Sequence, residues 1–327
     1  MVRMTSTSRW SSTHPRIRPA PAAATSPVRG AGAPGAVTVG PVSEGSVWLE
    51  RRVIAYAHQG GAWESPSSTL HAIRHALDAG APAIELDVHA TADGELVVCH
   101  DATVDRTTDR SGTIASFTLE ELRQMDFSYW WIPGADVTPG RPPDKYPLRG
   151  RAPGDRSFGI ATLREVLEQF PGVVFNLDIK QTAPVVAPYE ATLAQVLREC
   201  GRSDDIIVAS VLDAATDAFR THAPDVPTSA GTIATSKAWR AVQADEPMPP
   251  IPDVAYQVPE RQGDLVVVDD RFVAAAHAAG KAVHVWTVDD SESMERLVDL
   301  GVDGIISDLP TNLCRVLGER GVAWDGR

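Results

Sequence analysis

From Arg52 onward the chain repeats one unit eight times: a short apolar run, then a segment with apolar residues at helical spacing. The runs fall at residues 53–57, 83–88, 173–179, 206–210, 227–230, 253–258, 282–287 and 303–307. Helical patterns follow them at 69–78, 162–170, 189–200, 213–222, 235–243, 271–279, 291–300 and 311–318. Strands that alternate with helices in this way pair in parallel, because only a crossover of a dozen or more residues brings a chain back in the same direction. Eight such units predict an α/β fold of the (β/α)8 TIM-barrel type. A further apolar run at 96–99 stands outside the count. Only Thr91-Ala92-Asp93-Gly94 and its flanks separate it from 83–88, so the two are read as an antiparallel hairpin turning at Asp93-Gly94. The second arm is then an excursion from the barrel.

A barrel of this type needs about 250 residues, and the chain has 327. The surplus falls in two places. Residues 1–50 form a basic tail rich in Ser, Thr, Ala, Pro, Gly and Arg, without periodicity and predicted to be disordered. Residues 51–327 form the barrel domain, interrupted at about 127–160 by an insertion containing Tyr129-Trp130-Trp131 and Lys145-Tyr146-Pro147. The insertion leaves the hairpin arm, so it is expected to overhang the same end of the barrel.

The formal net charge is −13, although the stretch before Glu44 carries five arginines and no acid; without it the body stands at −18. Such a body repels nucleic acid. It accepts an anionic substrate only where a cation or a local basic group reverses the field. No apolar run reaches the roughly 18 residues of a transmembrane helix, which leaves peripheral membrane contact as the only kind expected. The tail has no apolar core of the secretory type, and the three widely spaced cysteines form no disulfide framework. A cytoplasmic, reducing location is expected. The sequence does not specify an oligomeric state.

Barrel enzymes carry their chemistry at the C-terminal ends of the strands. There the chain places His58 after the first run, Glu85 and Asp87 on the second, His100 and Asp101 on the hairpin arm, and Asp178 and Lys180 on the third. Trp286 lies near the end of the seventh run, and Asp308 follows the eighth. Glu85 and Asp87 are two residues apart on a strand and so point to one face. Carboxylates turned inward cost too much to bury unless they are paired or ligate a metal. An oxygen-rich set of Glu85, Asp87 and Asp178 suits a hard divalent cation, Mg²⁺ or Ca²⁺. His58 and His100 are the candidate acid/base pair, and Lys180 supplies positive charge to a phosphate oxygen.

The same residues form an ordered pattern. His58-Gln59-Gly60-Gly61, Pro66-Ser67-Ser68-Thr69, Ile84-Glu85-Leu86-Asp87-Val88, Thr91-Ala92-Asp93-Gly94, Val97-Val98-Cys99-His100-Asp101 and Asp105-Arg106-Thr107-Thr108 resemble the glycerophosphodiester phosphodiesterase family in order and spacing. Asn176-Leu177-Asp178-Ile179-Lys180, Val285-Trp286-Thr287-Val288 and Gly304-Ile305-Ile306-Ser307-Asp308 continue the likeness to about residue 313. The resemblance implies a metal site at Glu85, Asp87 and Asp178, acid/base catalysis by His58 and His100, and a phosphate contact at Lys180. It also implies a small-molecule or lysolipid phosphodiester as substrate, cleaved to glycerol 3-phosphate and an alcohol. The chain departs from the family pattern in three places. Its phosphate-binding Arg is Gln59 here, its Glu-Asn pair is Ser67-Ser68, and its third metal ligand, usually Glu, is Asp178. Glu64 is a candidate replacement for the lost carboxylate.

Two alternatives stand beside this reading: a phospholipase D-like lyase that releases a cyclic phosphate, and a non-catalytic phosphodiester-binding barrel. For Phe127 and Tyr129-Trp130-Trp131, packing of the insertion competes with caging of a quaternary ammonium. Trp286 is assigned either to the substrate pocket or to the core.

Overall fold

The computed structural model describes residues 47–51, 53–135 and 137–326. The tail read as disordered lies outside the described residues up to position 46. Its last four positions differ from that reading: Val47–Glu50 is a short helix with Trp48 buried.

Eight parallel strands form the barrel, at the eight places where the apolar runs fall. They are β1 (Ile54–His58), β2 (Ala83–Ala90), β3 (Val174–Ile179), β4 (Ile206–Ala209), β5 (Ser229–Ala230), β6 (Ala255–Pro259), β7 (Ala282–Trp286) and β8 (Gly304–Ser307). Each neighbouring pair from β1 to β4 and from β5 to β8 is hydrogen-bonded in parallel, and β8 pairs with β1. The seam between β4 and β5 is a single parallel bridge, Val208 with Thr228. It is thin because Pro227 has no N–H to donate; its carbonyl accepts from Val208 N at 2.9 Å instead.

The helices lie after their strands: α1 (Leu70–Asp78), α2 (Leu163–Gln169), α3 (Glu190–Glu199), α4 (Asp213–His222), α5 (Thr232–Gln243), α6 (Asp270–Ala278), α7 (Ser291–Leu300) and α8 (Pro310–Glu319). Side-chain caps fix several starts. Thr69 accepts from Ala72 N, Asp269 from Phe272 N and Asp290 from Ser293 N, and Thr162 forms a reciprocal box with Glu165. The hairpin is as expected. Leu96–Val98 runs antiparallel to the end of β2, with Val88 opposite Val98, and Gly94 takes φ +83° in the turn.

Inward-facing residues are apolar at the N-terminal end of the barrel and polar toward the mouth. Ile54, Ala83, Val174, Ile207, Ala255 and Ala282 pack with Trp48 at the bottom. Trp48 is 1% exposed, and its ring meets that of His284 at 6.2 Å. Arg51 stacks on Trp48 at 4.4 Å and on Trp324 at 4.7 Å, so both ends of the described chain close the floor. The segment after the arm builds its own small core around Val104, Ile114, Leu122 and Phe127. It reaches the mouth side as predicted: Trp131 Nε1 donates to Ala62 O at 2.9 Å, and Gly134 N to Trp63 O at 2.8 Å. The aromatic group there is already filled. The Arg149 guanidinium lies 4.2 Å from the Tyr129 ring, 4.7 Å from Trp130 and 3.7 Å from Tyr146. The packing alternative therefore holds for this cluster.

Truncating Trp48 removes the largest apolar group of the barrel floor. Trp48→Ala is expected to cost about 3–5 kcal/mol, read as a lower urea midpoint at unchanged slope. An unmoved midpoint would show that the floor is sealed without this helix.

Candidate active site

Strand register assembles the mouth. His58 on β1 is level with Glu85 on β2, which is level with Asn176 on β3. One layer higher, Asp87 is level with Asp178. All of these point inward by the two-residue period of a strand. Glu85, Asp87 and Asp178 thus offer carboxylate oxygens that lie within 4.8 Å of one another. Glu85 and Asp87 are buried. Asp87 Oδ2 and Asp178 Oδ1 are buried and accept no hydrogen bond. Lys180 Nζ stands 2.7 Å from Asp87 Oδ1 and 2.7 Å from Asp178 Oδ2.

Burial and the neighbouring charges perturb Glu85, Asp178 and Lys180. Burial pushes the Glu85 carboxyl up to about 8, and the charge of Asp87 adds to this. Burial likewise raises Asp178, against the pull of Lys180. For Lys180 burial acts to lower the pKa, but the charges of Asp87, Asp178 and Glu85 outweigh it and the ammonium is held more firmly than usual. Unsatisfied inward oxygens of this kind fit a hard divalent cation.

Two imidazoles flank the cluster, with ring centroids 5.9 Å apart and planes nearly perpendicular. Each is held by a carboxylate through Nδ1. His58 Nδ1 lies 2.6 Å from Asp308 Oδ1, and His100 Nδ1 lies 2.7 Å from Asp101 Oδ1. The Nδ1–H form follows from those partners and leaves Nε2 of each ring toward the site. Burial acts to lower His58, but the hydrogen bond to Asp308 and the charge of Glu85 raise it to about 9. Asp101 also accepts from Arg106 Nε, and these two partners hold its carboxyl down at about 2 against the effect of burial. Asp308 is fixed in turn: its backbone N donates to Asp289 Oδ1 at 2.8 Å, and Ser307 Oγ donates to the same oxygen at 2.9 Å.

Gln59 is buried rather than open to the cavity; its Nε2 lies 3.1 Å from His58 Nε2, and its backbone takes φ +53°. Gly60 and Gly61 follow at φ +81° and +93°. A Cβ on Gly60 would meet Ala72 Cβ at 2.8 Å, so this tight turn requires glycine. Glu64 does not replace a site carboxylate. It caps α8 through Thr311 N and Oγ1 and pairs with His75. Trp286 is exposed at the rim of a cavity of about 800 Å³ that contains His58, Glu85, His100, Asp178 and Lys180. Sequence reasoning named Asp101, Asp308 and Asn176 but assigned them no partner. The two contacts that matter most, Asp308 to His58 and Asn176 Nδ2 to Gln257 Oε1 at 3.0 Å, span 250 and 81 positions.

Residues 58–312 match the model of the glycerophosphoryl diester phosphodiesterase family. The glycerophosphodiester phosphodiesterase of Caldanaerobacter subterraneus is 30% identical over 276 residues, covering 83% of this chain and all of that one. The phosphodiesterase of Oleispira antarctica, solved in complex with the product sn-glycerol-3-phosphate, superposes with a TM-score of 0.64 at 22% identity, covering 82% of this chain and 97% of that one. The glycerophosphodiester phosphodiesterase of Agrobacterium tumefaciens superposes at 0.60 and 21% identity, covering 80% and 99%.

Below the charged layer, His284 is fully buried, and burial drives its pKa down to about 3. The unfolded imidazole takes a proton below about pH 6.5, whereas the folded one stays neutral. This group's contribution is therefore complete above pH 6.5 and is lost as the pH falls toward 3. The loss in melting temperature between pH 7 and pH 4.5 is expected to be smaller in His284→Gln than in the wild type, measured by thermal scans. An equal loss in both would remove His284 as a source of acid sensitivity.

Proposed function

The chain belongs to the glycerophosphoryl diester phosphodiesterase family, and from that premise we propose that its barrel mouth hydrolyses glycerophosphodiesters to glycerol 3-phosphate and an alcohol. One observation carries the assignment of roles: three carboxylates on adjacent strands converge within 4.8 Å between two imidazoles, each engaged through Nδ1 by an aspartate. The Oleispira antarctica enzyme bound to its glycerol 3-phosphate product supports the choice of substrate class.

Glu85, Asp87 and Asp178 would hold a divalent cation, Mg²⁺ or Ca²⁺, which when bound supplies charge stabilisation at the phosphoryl oxygens. The remaining work belongs to the chain's own side chains. Lys180 offers its ammonium to a non-bridging oxygen from the same side as the carboxylates. Gln59, without charge, contributes its amide next to His58 and leaves neutralisation to Lys180. His58 and His100 hold and move protons at Nε2. One takes the proton of the substrate's attacking 2-hydroxyl while the other delivers a proton to the departing alkoxide, and water, deprotonated in turn, then opens the resulting cyclic phosphate to glycerol 3-phosphate. Asp308 and Asp101 keep both rings aimed and in the Nδ1–H form. The lyase and the non-catalytic barrel gain no support, since the relatives carry the diesterase name and both imidazoles and all three carboxylates share one mouth. Cys99, Cys200 and Cys314 are unpaired, which suits the cytoplasmic location expected. Among the described residues no helix is long and apolar enough to cross a membrane.

Turnover of glycerophosphocholine with added Mg²⁺ or Ca²⁺, followed by phosphorus NMR, is expected to yield glycerol 3-phosphate, and a chelator should stop it. Persistent activity in chelator would overturn the metal assignment. A cyclic phosphate as the end product would favour the lyase. His100→Ala is expected to lower kcat by about 10² or more with the melting temperature unchanged, because the ring sits on the hairpin arm and is part-exposed. A wild-type rate would remove His100 from the mechanism. Divalent cation at about 100 times its Kd is expected to stabilise the fold by about 2.7 kcal/mol. Asp87→Asn should lose most of that gain in a thermal shift assay. Equal gains in both proteins would place the ion elsewhere.

A further inference from the structure

Helix α5 turns two stripes to its surroundings. Ala238, Ala241 and Val242 are buried, as the inner stripe of a barrel helix is. Thr232, Thr235, Ser236, Trp239 and Arg240 stand three or four residues apart and share a second face. That face lines the cavity at the mouth. At about 800 Å³ the cavity lies in the upper part of the range that holds drug-sized ligands, and glycerol phosphate alone leaves much of that space open.

Charge is distributed unevenly over this wall. Besides the two imidazoles, Glu85, Asp178 and Lys180 stand on or just after β2 and β3, and Arg240 is the only other charged residue. The rest of the lining is uncharged. It mixes apolar groups such as Val211 and Leu265 with polar ones such as Ser229 and Gln262. The Arg240 guanidinium has no hydrogen-bond or ion-pair partner among the described residues. On the flanking helices α4 and α6, by contrast, Arg220 pairs with Asp217 and Asp253, and Arg271 with Asp245. The start of α5 offers an anion nothing, because Asp213 accepts from Ile233 N and Ala234 N. In a chain of net charge −13, Arg240 is thus a cation on the cavity wall that no carboxylate of the chain neutralises.

We propose that this face of α5 selects the alcohol half of the substrate, and that the alcohol carries an anionic group of its own, a carboxylate or a phosphate, which Arg240 receives. This rests on the hydrolytic reading above and goes further by naming what the leaving alcohol bears. The acids of β2 and β3 repel a second negative charge, so such a substrate fits only with that charge turned to α5. The guanidinium fork matches two oxygens of either group. The Ser236 hydroxyl, one turn earlier on the same face, adds a neutral donor. A quaternary ammonium would meet the rings of Trp239 and Trp286 in this space, but also the positive charge of Arg240 and no acid.

The test compares four substrates at one ionic strength and saturating divalent cation: the propyl, 2-carboxyethyl and 3-phosphopropyl esters of glycerol 3-phosphate, and glycerophosphocholine. The kcat/KM of an anionic ester is expected to exceed that of the propyl ester by about 10-fold or more, the low end of what a hydrogen bond to a charged group contributes. Whichever anionic ester gains more identifies the group. Arg240→Gln is expected to bring the anionic-to-propyl ratio close to one. A ratio near one in the wild type, or a ratio that Arg240→Gln does not change, overturns the proposal while the propyl ester still reports the hydrolytic activity. Preference for glycerophosphocholine over both anionic esters also overturns it. If no ester is turned over, the hydrolytic reading fails by itself. Calorimetric binding of 3-phosphonopropionate against propylphosphonate then decides the role of Arg240, equal affinities counting against it.

Discussion

Mutual repulsion among three inward-facing carboxylates is the constraint around which this barrel is arranged. Glu85, Asp87 and Asp178 share one small volume, and an isolated buried carboxylate is too costly to persist. Strand pairing fixes their positions, because shifting β3 by one residue against β2 would turn Asp178 to the outer face. The chain offsets the cost with Lys180, with the partly protonated state of Glu85, and with His58 beside it. Two carboxylate oxygens still lack partners. Such atoms are compatible with a divalent cation, which would relieve the penalty they carry.

The two imidazoles reach that volume by different routes. His58 depends on closure of the barrel. Its partner Asp308 comes from the end of the last strand, and Asp308 is itself set by Asp289 after β7. His100 depends on a local excursion. The hairpin arm lifts it over the mouth, and Asp101 and Arg106, its nearest neighbours in the network, lie one and six positions away. The first ring is therefore as rigid as the barrel, whereas the second is as rigid as the arm and the small core beneath it.

The barrel was legible because strand and helix periods alternate so regularly that all eight strands fall where apolar runs stand. The carboxylates were legible because Glu85 and Asp87 keep strand parity inside an apolar run. Other features carried no local signal. Nothing near His58 points to Asp308, which becomes its neighbour only when β8 pairs with β1. Glu64 stands close to the site in sequence, yet it faces α8, because a polar residue in the turn after β1 finds the free N–H of Thr311 first. The aromatic trio in the insertion has the composition of a cation cage, and two of its rings, Tyr129 and Trp130, do meet a cation together with Tyr146, but the occupant is Arg149 from 19 to 20 residues downstream of them. Trp48 lay inside the tail read as disordered, and only tertiary burial reveals that it seals the floor.

The interior also sorts polarity along its axis, and that gradient bears on how the mouth works. Trp48 and a ring of small and branched residues close the bottom. Above them Asn176, Gln257 and His284 form a neutral hydrogen-bonded layer. Gly304 makes room for the imidazole, since a Cβ there would meet His284 Cδ2 at 2.8 Å. The charged layer comes next, then the cavity. The neutral polar tier below the carboxylates adds no charge, and because it is buried, the field of the acids is screened chiefly from the mouth. Interactions across that face are stronger than in water. The charge of the acids is thus least compensated toward the mouth, the side open to solvent.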